Sequence, residues 1–494
     1  MMPETAPTSY ASRRLAIALG ALALVFAASG AASAKGPATP AARAQAALDR
    51  WVAQKDLAGA EVGASVVCLD DGTTWAEHGA DALMVPASGT KLLTTAAVLD
   101  TLPLDARFAT RLRGVLGEGG VVAGDLVLEG GGDPQLMPED LERLADAAVA
   151  AGLARVDGDL VVDASLFAPP LLPPAYDMKH TDSSYRPSVS AAGVNYGAVL
   201  VTVRPGKAAG DALKVTVSPA SDAVVVDNAG TTVAAGGEAL TVTAIDRPDG
   251  RTGVAVRGSL KVTDKGFADR KRVADPGLLA GAVLKAILGR KGVAVKGGVS
   301  VRATPAAGDA PPVVASIDGK PLPELLAAMN TWSNNAMAET FFKHLGGSGA
   351  AARTWEAAQK AVAKALVARG VPEGQFEIVN GSGLYAATKV SARAMTTLLA
   401  SFGGDDARAV AFRGSLAVAG AEGTLRYRLK RADTRGKVRA KTGTLDEAWS
   451  LSGYAPTRSG CELAFALFVN SSEAKRANTL RRALDKLILE LVRL

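Results

Sequence analysis

The feature that most constrains the fold is a change in sequence pattern near residue 104 that reverses near residue 320. Outside this interval apolar residues recur mostly at helical spacing, whereas inside it short β-like runs alternate with glycine turns. This arrangement predicts a discontinuous α/β fold of the α+β type, interrupted by a large insertion. The expected parts are residues 35–103 and 320–494 for the outer domain, and 104–319 for inserted α/β and β-rich domains.

Two segments of the insertion share one plan. Residues 141–163 and 279–301 each carry an amphipathic helix pattern, a glycine stop and a strand pattern. We expect them to form matching α/β units, although this pattern is too general to prove a repeat. The stretch 303–312 is rich in proline, glycine and alanine and predicts a linker or surface loop.

The first 34 residues predict a secretory signal peptide. Arg13 and Arg14 precede an apolar run, and Ala32-Ser33-Ala34 supplies small residues at a cleavage site. The run is short for a membrane span and contains two glycines, so we expect no stable span. The adjacent arginines leave open whether export uses the general or the twin-arginine route. We expect the mature protein in the periplasm or cell-wall space.

Charge and metal-binding residue types exclude several function classes. The formal net charge is only +6 and the cations are spread along the chain, so we expect no nucleic-acid partner. A weak positive bias suits an anionic wall polymer or an ordinary solvated surface, and both explanations stay open. His78, His180 and His344 are far apart and no Cys-x-x-Cys occurs, so we predict neither a metal site nor a cofactor.

The first candidate chemical motif is a serine followed three residues later by a lysine. Positions three apart lie on one helix face, so the Ser88 hydroxyl and the Lys91 amine can meet. A lysine whose pKa is lowered can take the proton of a serine nucleophile. The spacing alone is weak, because Ser472 and Lys475 repeat it where we expect a solvated cap. The positions that predict one buried helix face are Leu92, Leu93, Ala96, Ala97 and Leu99.

The second candidate motif pairs a serine with an asparagine two residues later. A hydroxyl at Ser333 and an amide at Asn335 on a tight turn can relay a proton and hold a substrate amide. The alternative is ordinary capping of the helix that follows, since serine and asparagine are both preferred at helix N-termini. The motif alone does not decide between these two interpretations.

The third candidate motif is Lys441-Thr442-Gly443-Thr444 in a predicted strand. Lysine and threonine hydroxyls can hold a carboxylate, and glycine in a strand allows another backbone, such as an extended peptide, to approach closely. The alternative is an edge strand that a lysine protects from pairing with other chains.

In this order, the three motifs resemble the signature set of the penicillin-interacting serine enzymes, the penicillin-binding proteins and β-lactamases. The 242 positions between Lys91 and Ser333 are too many for a compact β-lactamase. With this separation the chain is similar to the D-alanyl-D-alanine carboxypeptidases/endopeptidases of the penicillin-binding protein 4 type, which carry extra domains between the first two motifs. Asn380 and Glu422 stand where that family leads us to expect aspartates. Residues 126–136, 157–167, 380–399, 415–429 and 438–457 also resemble landmarks of this family.

The resemblance implies a β-lactamase/transpeptidase-like domain with an antiparallel sheet flanked by helices. It also implies D-Ala-D-Ala carboxypeptidase activity on peptidoglycan peptides, with β-lactam antibiotics as covalent inhibitors. The implied roles are Ser88 as nucleophile, Lys91 as base and Ser333 as proton relay beside Lys441. Asn335 would hold a peptide amide and Thr442 and Thr444 the terminal carboxylate, with Gly443 as a further substrate-binding residue. The N–H groups of Ser88 and Thr444 would form the oxyanion hole.

Other features follow from the resemblance or stay open. The family's sheet places Cys68 and Cys461 on antiparallel neighbours, so a disulfide is one of two expected states. Ser382 and the glycines of 130–134 are interpreted as turn residues. The last helix either packs on the sheet or lies on a membrane surface. A non-catalytic peptidoglycan-binding protein and a β-lactamase remain alternatives, and the share of endopeptidase activity is open.

Overall fold

The main sheet of the protein has six antiparallel strands that come from both ends of the chain. The computed structural model describes residues 39–302, 310–349, 351–471 and 477–494; the predicted signal peptide, Ser472 and Lys475 lie outside these residues. In spatial order the strands are β2 (Thr74–His78), β1 (Glu61–Cys68), β24 (Glu462–Asn470), β23 (Ala448–Pro456), β22 (Arg439–Thr444) and β21 (Ala417–Val418).

Helices cover both faces of this sheet. Two helices from the ends of the described chain pack on one face through an apolar core. The other face carries the remaining helices of the outer parts of the chain. Because both faces are covered, β23 and β24 are buried along almost their whole length, which explains their continuous apolar sequence. The first pair is α1 (Pro40–Val52) and α10 (Ala477–Leu491); the others are α2 (Thr90–Thr101), α5 (Leu322–Trp332), α6 (Asn335–His344), α7 (Trp355–Ala368), α8 (Ala392–Ala400) and α9 (Ala407–Gly414).

Helix α2 is more deeply buried than its sequence pattern predicts. The pattern indicated one buried face, but every residue from Thr90 to Leu99 is buried. The predicted apolar face is buried, and the remaining positions are buried as well because α2 lies among α5, α6, α7 and α9. Polar positions on the presumed outer face therefore need internal partners, and Thr95 Oγ1, for example, donates to the Lys91 carbonyl at 2.6 Å.

The interval between α2 and α5 forms separate sheets with its own apolar core. A five-stranded sheet carries two helices, and each helix leads into a parallel strand of that sheet, as the shared plan of the two segments predicts. Its strands, in spatial order, are β17 (Val299–Arg302), β7 (Leu160–Asp163), β5 (Leu126–Gly130), β3 (Ala109–Arg113) and β18 (Val313–Asp318), and its helices are α3 (Pro138–Ala150) and α4 (Pro276–Arg290).

Further short strands complete this interval. A small parallel sheet joins the ends of the two α/β segments, and three β-rich sheets lie between β7 and α4 in the chain. The small sheet contains β16 (Ala294–Val295), β6 (Arg155–Val156) and β4 (Val121–Val122). The others are β15 (Phe267–Arg272), β8 (Ala198–Arg204) and β9 (Lys214–Ser218); β10 (Val224–Asn228), β13 (Thr252–Arg257) and β12 (Thr241–Asp246); and β11 (Thr231–Val233) with β14 (Ser259–Lys261). A hairpin of β19 (Phe376–Glu377) and β20 (Lys389–Val390) belongs to the C-terminal part.

Among the strands that the structure describes, none between residues 109 and 318 joins the six-stranded sheet. This arrangement agrees with an insertion in a discontinuous domain, while domain boundaries at residues 104 and 319 stay a prediction. Residues 303–309 of the expected linker lie outside the described ranges.

Two open expectations about the sheet are decided by the structure. Cys68 and Cys461 form a disulfide with a Cα–Cα distance of 6.0 Å. It links β1 to the chain entering β24, and these two strands are antiparallel neighbours. Helix α10 packs its leucine and isoleucine face against the sheet, with Leu484 and Ile488 buried, so its packing explains its amphipathic pattern.

Candidate active site

The three sequence motifs meet at one end of the six-stranded sheet. Ser88 lies on the turn before α2, Ser333 lies between α5 and α6, and Lys441 lies on β22. These positions are the helix start, helix-connecting segment and strand that the sequence predicts. They surround a cleft of about 840 Å³ whose lining includes Ser88, Ser333, Asn335 and Thr444.

The turn that carries Ser88 is held in an unusual backbone conformation. Ser88 is the middle residue of the 3-10 turn Ala87–Gly89, which leads directly into α2. Ala87 has a φ of 48°, in the left-handed region that residues with a side chain rarely adopt. Such strained residues cluster at functional sites, where the surrounding structure holds them in place.

Gly443 lets β22 pass directly beside this turn. A Cβ atom at Gly443 would lie 2.4 Å from the Pro86 carbonyl oxygen and 2.2 Å from Ser450 Oγ. Ser450 Oγ donates a hydrogen bond to the same carbonyl at 2.6 Å. The close approach predicted at this glycine is therefore made by the turn that carries Ser88. An approach by a substrate backbone stays a prediction.

Lys91 is buried beneath Ser88, one turn into α2. Its exposed fraction is 0%, and its ammonium nitrogen is 3.0 Å from Ser88 Oγ, 2.8 Å from Asn335 Oδ1 and 2.9 Å from the Ser382 carbonyl oxygen. Burial lowers the pKa of Lys91 to about 7, and the charge of Glu339 opposes this shift. A substantial fraction of Lys91 is therefore neutral at neutral pH, with its nitrogen within hydrogen-bond reach of a serine hydroxyl.

The residue that caps helix α6 is Asn334, which lies between the two motif residues Ser333 and Asn335. Its side chain accepts from Met337 N at 3.0 Å. Ser333 has a φ of 60° at the end of α5. Asn335 accepts a hydrogen bond from Lys91 and donates one to the Tyr185 carbonyl at 2.8 Å. The side chains of Ser333 and Asn335 therefore both reach the cleft and are free from capping.

Lys441 points inward, toward the second motif. Its nitrogen is 2.8 Å from Ser333 Oγ and 2.8 Å from the Thr442 carbonyl oxygen. Burial, and then the nearby charge of Lys91, hold the pKa of Lys441 well below its ordinary value. Because Lys441 is 0% exposed, it is not the solvent-facing lysine that would protect a strand edge.

The rest of β22 carries two threonines, of which Thr444 reaches the cleft. β22 pairs with β21 only at Ala440 and Arg439. In the described part of the chain, the stretch beyond Ala440 has no strand partner on that side. Thr444 lines the cleft, and Thr442 Oγ1 donates to Thr424 Oγ1 at 2.9 Å. The edge of β22 beyond Ala440 is therefore unpaired by a strand beside the cleft, which is the arrangement that an added extended peptide uses.

Sequence reasoning missed the buried groups behind Lys91. Glu339, on α6, is 0% exposed, and Tyr176 donates to it at 3.1 Å from a distant part of the chain. Ser382 lies in a bend, as predicted, but its carbonyl also accepts from Lys91. The only sequence signal for Glu339 is its position four residues after Asn335, on the same helix face.

Two structural features bear on metal binding and membrane insertion. In the described residues, Cys68, Asp70 and Cys461 form one cluster of metal-ligand types, but both sulfurs are used by the disulfide. No helix in the described ranges has both the length and the apolar character needed to cross a membrane.

Comparison with known proteins identifies the family of the chain. The sequence profile of the D-Ala-D-Ala carboxypeptidase 3 (S13) family matches residues 44–491. A D-alanyl-D-alanine carboxypeptidase from Actinomadura sp. (strain R39) is 34% identical over 436 residues, covering 86% of this chain and 80% of that protein.

Solved structures show the same fold. Penicillin binding protein 4 from Haemophilus influenzae matches with a TM-score of 0.76 at 22% identity, covering 88% of this chain and 99% of that chain. A second structure of that protein, complexed with a novel beta-lactam, matches with a TM-score of 0.71 at 23% identity, covering 89% of this chain and 99% of that chain. The predicted fold class and family resemblance are confirmed. The chain therefore belongs to the D-Ala-D-Ala carboxypeptidase 3 (S13) family and is a serine-type D-Ala-D-Ala carboxypeptidase.

Proposed function

We propose that this enzyme cleaves the terminal D-Ala-D-Ala bond of peptidoglycan peptides through an acyl-enzyme on Ser88. The single observation that carries this assignment is the contact between a buried lysine of lowered pKa and the Ser88 hydroxyl, 3.0 Å apart. A serine becomes a strong nucleophile only when a base takes its proton, and Lys91 is placed to do so.

In acylation, Ser88 Oγ attacks the carbonyl carbon while its proton passes to Lys91. Negative charge develops on the carbonyl oxygen, where the N–H groups of Ser88 and Thr444 are the donors we assign to the oxyanion hole. The C–N bond then breaks. The proton that Lys91 took then passes to the leaving amine through Ser333, whose hydroxyl is 2.8 Å from Lys441, and Lys91 is neutral again. The net result is an ester on Ser88 and free D-alanine.

In deacylation, water attacks the ester carbonyl and gives up its proton to Lys91. The tetrahedral intermediate collapses, Ser88 recovers its proton, and the shortened peptide leaves. We assign Asn335 to a substrate amide. The terminal carboxylate is assigned to Thr442 and Thr444, with Gly443 between them on the β22 edge. The chemistry uses side chains and water alone, so the assignment includes no cofactor.

We further propose that β-lactam antibiotics acylate Ser88. The beta-lactam bound to the penicillin binding protein 4 structure supports this step, because that protein shares the fold of this chain. Export through the signal pattern of residues 1–34 and action in the periplasm or cell-wall space are also proposed, as is the division into a transpeptidase-like domain (35–103 and 320–494) and inserted domains (104–319).

The direct test is intact mass after mixing the protein with benzylpenicillin, beside Ser88→Ala. We expect a stable covalent adduct on the wild type and none on the variant. Absence of an adduct on folded wild type contradicts a catalytic Ser88 and favours a non-catalytic peptidoglycan-binding protein. An adduct that disappears within seconds while penicillin is consumed indicates a β-lactamase. Release of free D-alanine from a peptide ending in D-Ala-D-Ala tests the natural reaction.

A further inference from the structure

A buried carboxylate lies behind the catalytic cleft with no direct role in the proposed chemistry. Glu339 follows Asn335 by four residues on α6, so both side chains lie on the face that packs toward Lys91. Its exposed fraction is 0%. Among the described residues, no ion pair within 4.0 Å includes Glu339. An ionisable group buried this deeply is costly unless hydrogen bonds or nearby charges compensate it.

The compensation comes from one short loop and one tyrosine. Glu339 Oε2 accepts from Gly381 N at 3.0 Å, and Oε1 accepts from Ser382 N at 2.8 Å. The Tyr176 hydroxyl donates to Oε1 at 3.1 Å and lies 2.7 Å from Ser382 Oγ. Glu339 therefore fixes two consecutive backbone N–H groups of the Gly381–Gly383 loop. Tyr176 contacts both the Glu339 carboxylate and the Ser382 hydroxyl.

The same loop supports the nucleophile and its base from behind. The Ser382 carbonyl accepts from Lys91 at 2.9 Å. Gly383 has a φ of 77°, and a Cβ atom there would lie 1.9 Å from the Ala87 carbonyl oxygen. The loop is thus in close contact with the turn that carries Ser88. Moving Gly381 and Ser382 would displace both an acceptor of Lys91 and the support of that turn.

Among the described residues around the two buried lysines Lys91 and Lys441, Glu339 is the fully buried carboxylate. Lys91 is faced by Ser88 from the turn before α2, by Asn335 and Glu339 from α6, by the Ser382 carbonyl from the loop, and by the charge of Lys441 from β22. Tyr176 contacts the carboxylate and has a pKa raised well above its ordinary value by burial, so it stays a neutral donor.

The charges in this cluster oppose one another in their effects. Burial lowers the pKa of Lys91, and the carboxylate of Glu339 raises it. Burial raises the pKa of Glu339, while Ser382, Gly381 and Lys91 oppose the rise. Removing the carboxylate charge removes its upward effect on the pKa of Lys91, so the lowering by burial is no longer opposed by the charge of Glu339.

We propose that Glu339 is a positioning residue for the Ser88–Lys91 pair: it fixes the Gly381–Gly383 loop that holds Lys91 in place, and it balances the charge of the two buried lysines. This role rests on the proposed function of Ser88 and Lys91. Glu339 acts through Lys91 and the loop and contacts neither Ser88 nor the cleft in the described structure.

The test compares Glu339→Gln, which keeps the shape and removes the charge, with Glu339→Asp, which keeps the charge and shortens the reach. The measurement is the second-order rate constant for acylation by benzylpenicillin as a function of pH. For Glu339→Gln we expect the plateau to fall roughly 10- to 100-fold, the scale of small displacements at a reacting centre. Since the pKa of Lys91 drops, the acid limb moves about one unit to lower pH. For Glu339→Asp we expect a lower plateau with the limb in the wild-type position.

Several outcomes overturn this role. If the limb of folded Glu339→Gln stays where it is in the wild type, Glu339 does not set the charge balance. If Glu339→Asp shifts the limb as much as Glu339→Gln does, the charge is not the property that matters. If Glu339→Gln does not fold, Tyr176→Phe takes its place. For Tyr176→Phe we expect the plateau of the acylation rate to be several-fold lower and the acid limb to stay at the wild-type pH. An unchanged plateau in Tyr176→Phe contradicts positioning through this network. Absence of a Ser88 adduct on the wild type instead overturns the proposed function.

Discussion

Two buried lysines on neighbouring helices of this protein resemble each other in burial and in lowered pKa but differ in the groups that surround them. Lys91 lies on α2 and Lys343 on α6, with exposed fractions of 0% and 1%. Burial lowers the pKa of both, to about 7 for Lys91 and about 8 for Lys343. Burial alone therefore produces a lysine that is partly neutral near physiological pH at two separate places.

The difference lies in what surrounds each ammonium group. Lys91 has three oxygen partners, one of them the Ser88 hydroxyl. In the described structure Lys343 has no hydrogen-bond partner, and its nitrogen lies 4.0 Å from the ring centroid of Trp355. A lowered pKa thus identifies a lysine as a candidate catalytic base. A nucleophile within hydrogen-bond reach then separates a catalytic lysine from a structural one.

The largest expected effect comes from replacing the catalytic member of the pair. Lys91→Met should lower the rate of acylation by benzylpenicillin on the order of 10²- to 10⁴-fold, the usual contribution of a general base. Lys343→Met is the matched control, because it removes an equally buried lysine from a neighbouring helix, and its acylation rate should stay within about twofold of wild type. Equal losses in the two variants contradict the distinction between them.

A smaller effect is expected on stability. Lys343→Met should raise the free energy of unfolding at pH 7 by about 1 kcal/mol, because it replaces a buried ammonium that has no hydrogen bond with an apolar chain of similar length. The folded-state pKa of Lys343 is about 8, below its ordinary value of 10.5. The penalty of its charge is therefore complete below pH 8 and is relieved as pH rises toward 10.5.

Chemical unfolding of both proteins at several pH values checks this expectation. The advantage of Lys343→Met over the wild type should be constant below pH 8 and shrink above it. A variant that is less stable than wild type at pH 7 indicates that the contact of Lys343 with the Trp355 ring outweighs the cost of burying its charge.

Part of the site and of the fold could be predicted from the sequence. The motif residues Ser88, Lys91, Ser333 and Lys441 were identifiable because their short local spacings fall on a helix start, a helix junction and a strand. The discontinuous sheet was expected because apolar strand patterns occur at both ends of the chain. Each local spacing is a weak signal by itself, and the order of the three motifs along the chain makes the set specific.

Contacts between residues far apart in the chain could not be predicted from local sequence spacing. Tyr176 meets Glu339 across 163 positions, and Ser382 meets Lys91 across 291. Nothing in a local pattern distinguishes Glu339 from an ordinary helix glutamate. The apolar positions of α2 predicted one buried face, and they could not show that Thr94 and Thr95 are also buried, with their hydroxyls bonded to the Gly381 and Lys91 carbonyls.

The most direct test of the account is the pH dependence of benzylpenicillin acylation in the wild type and in Lys343→Met. Lys91 acts as a base only when neutral, so we expect a plateau above its pKa of about 7 and a fall of roughly tenfold per pH unit below it. The limb should be unchanged in Lys343→Met. A rate that is flat through pH 7 in the wild type, or a limb that moves when Lys343 is replaced, contradicts the assignment of Lys91 as the base that activates Ser88.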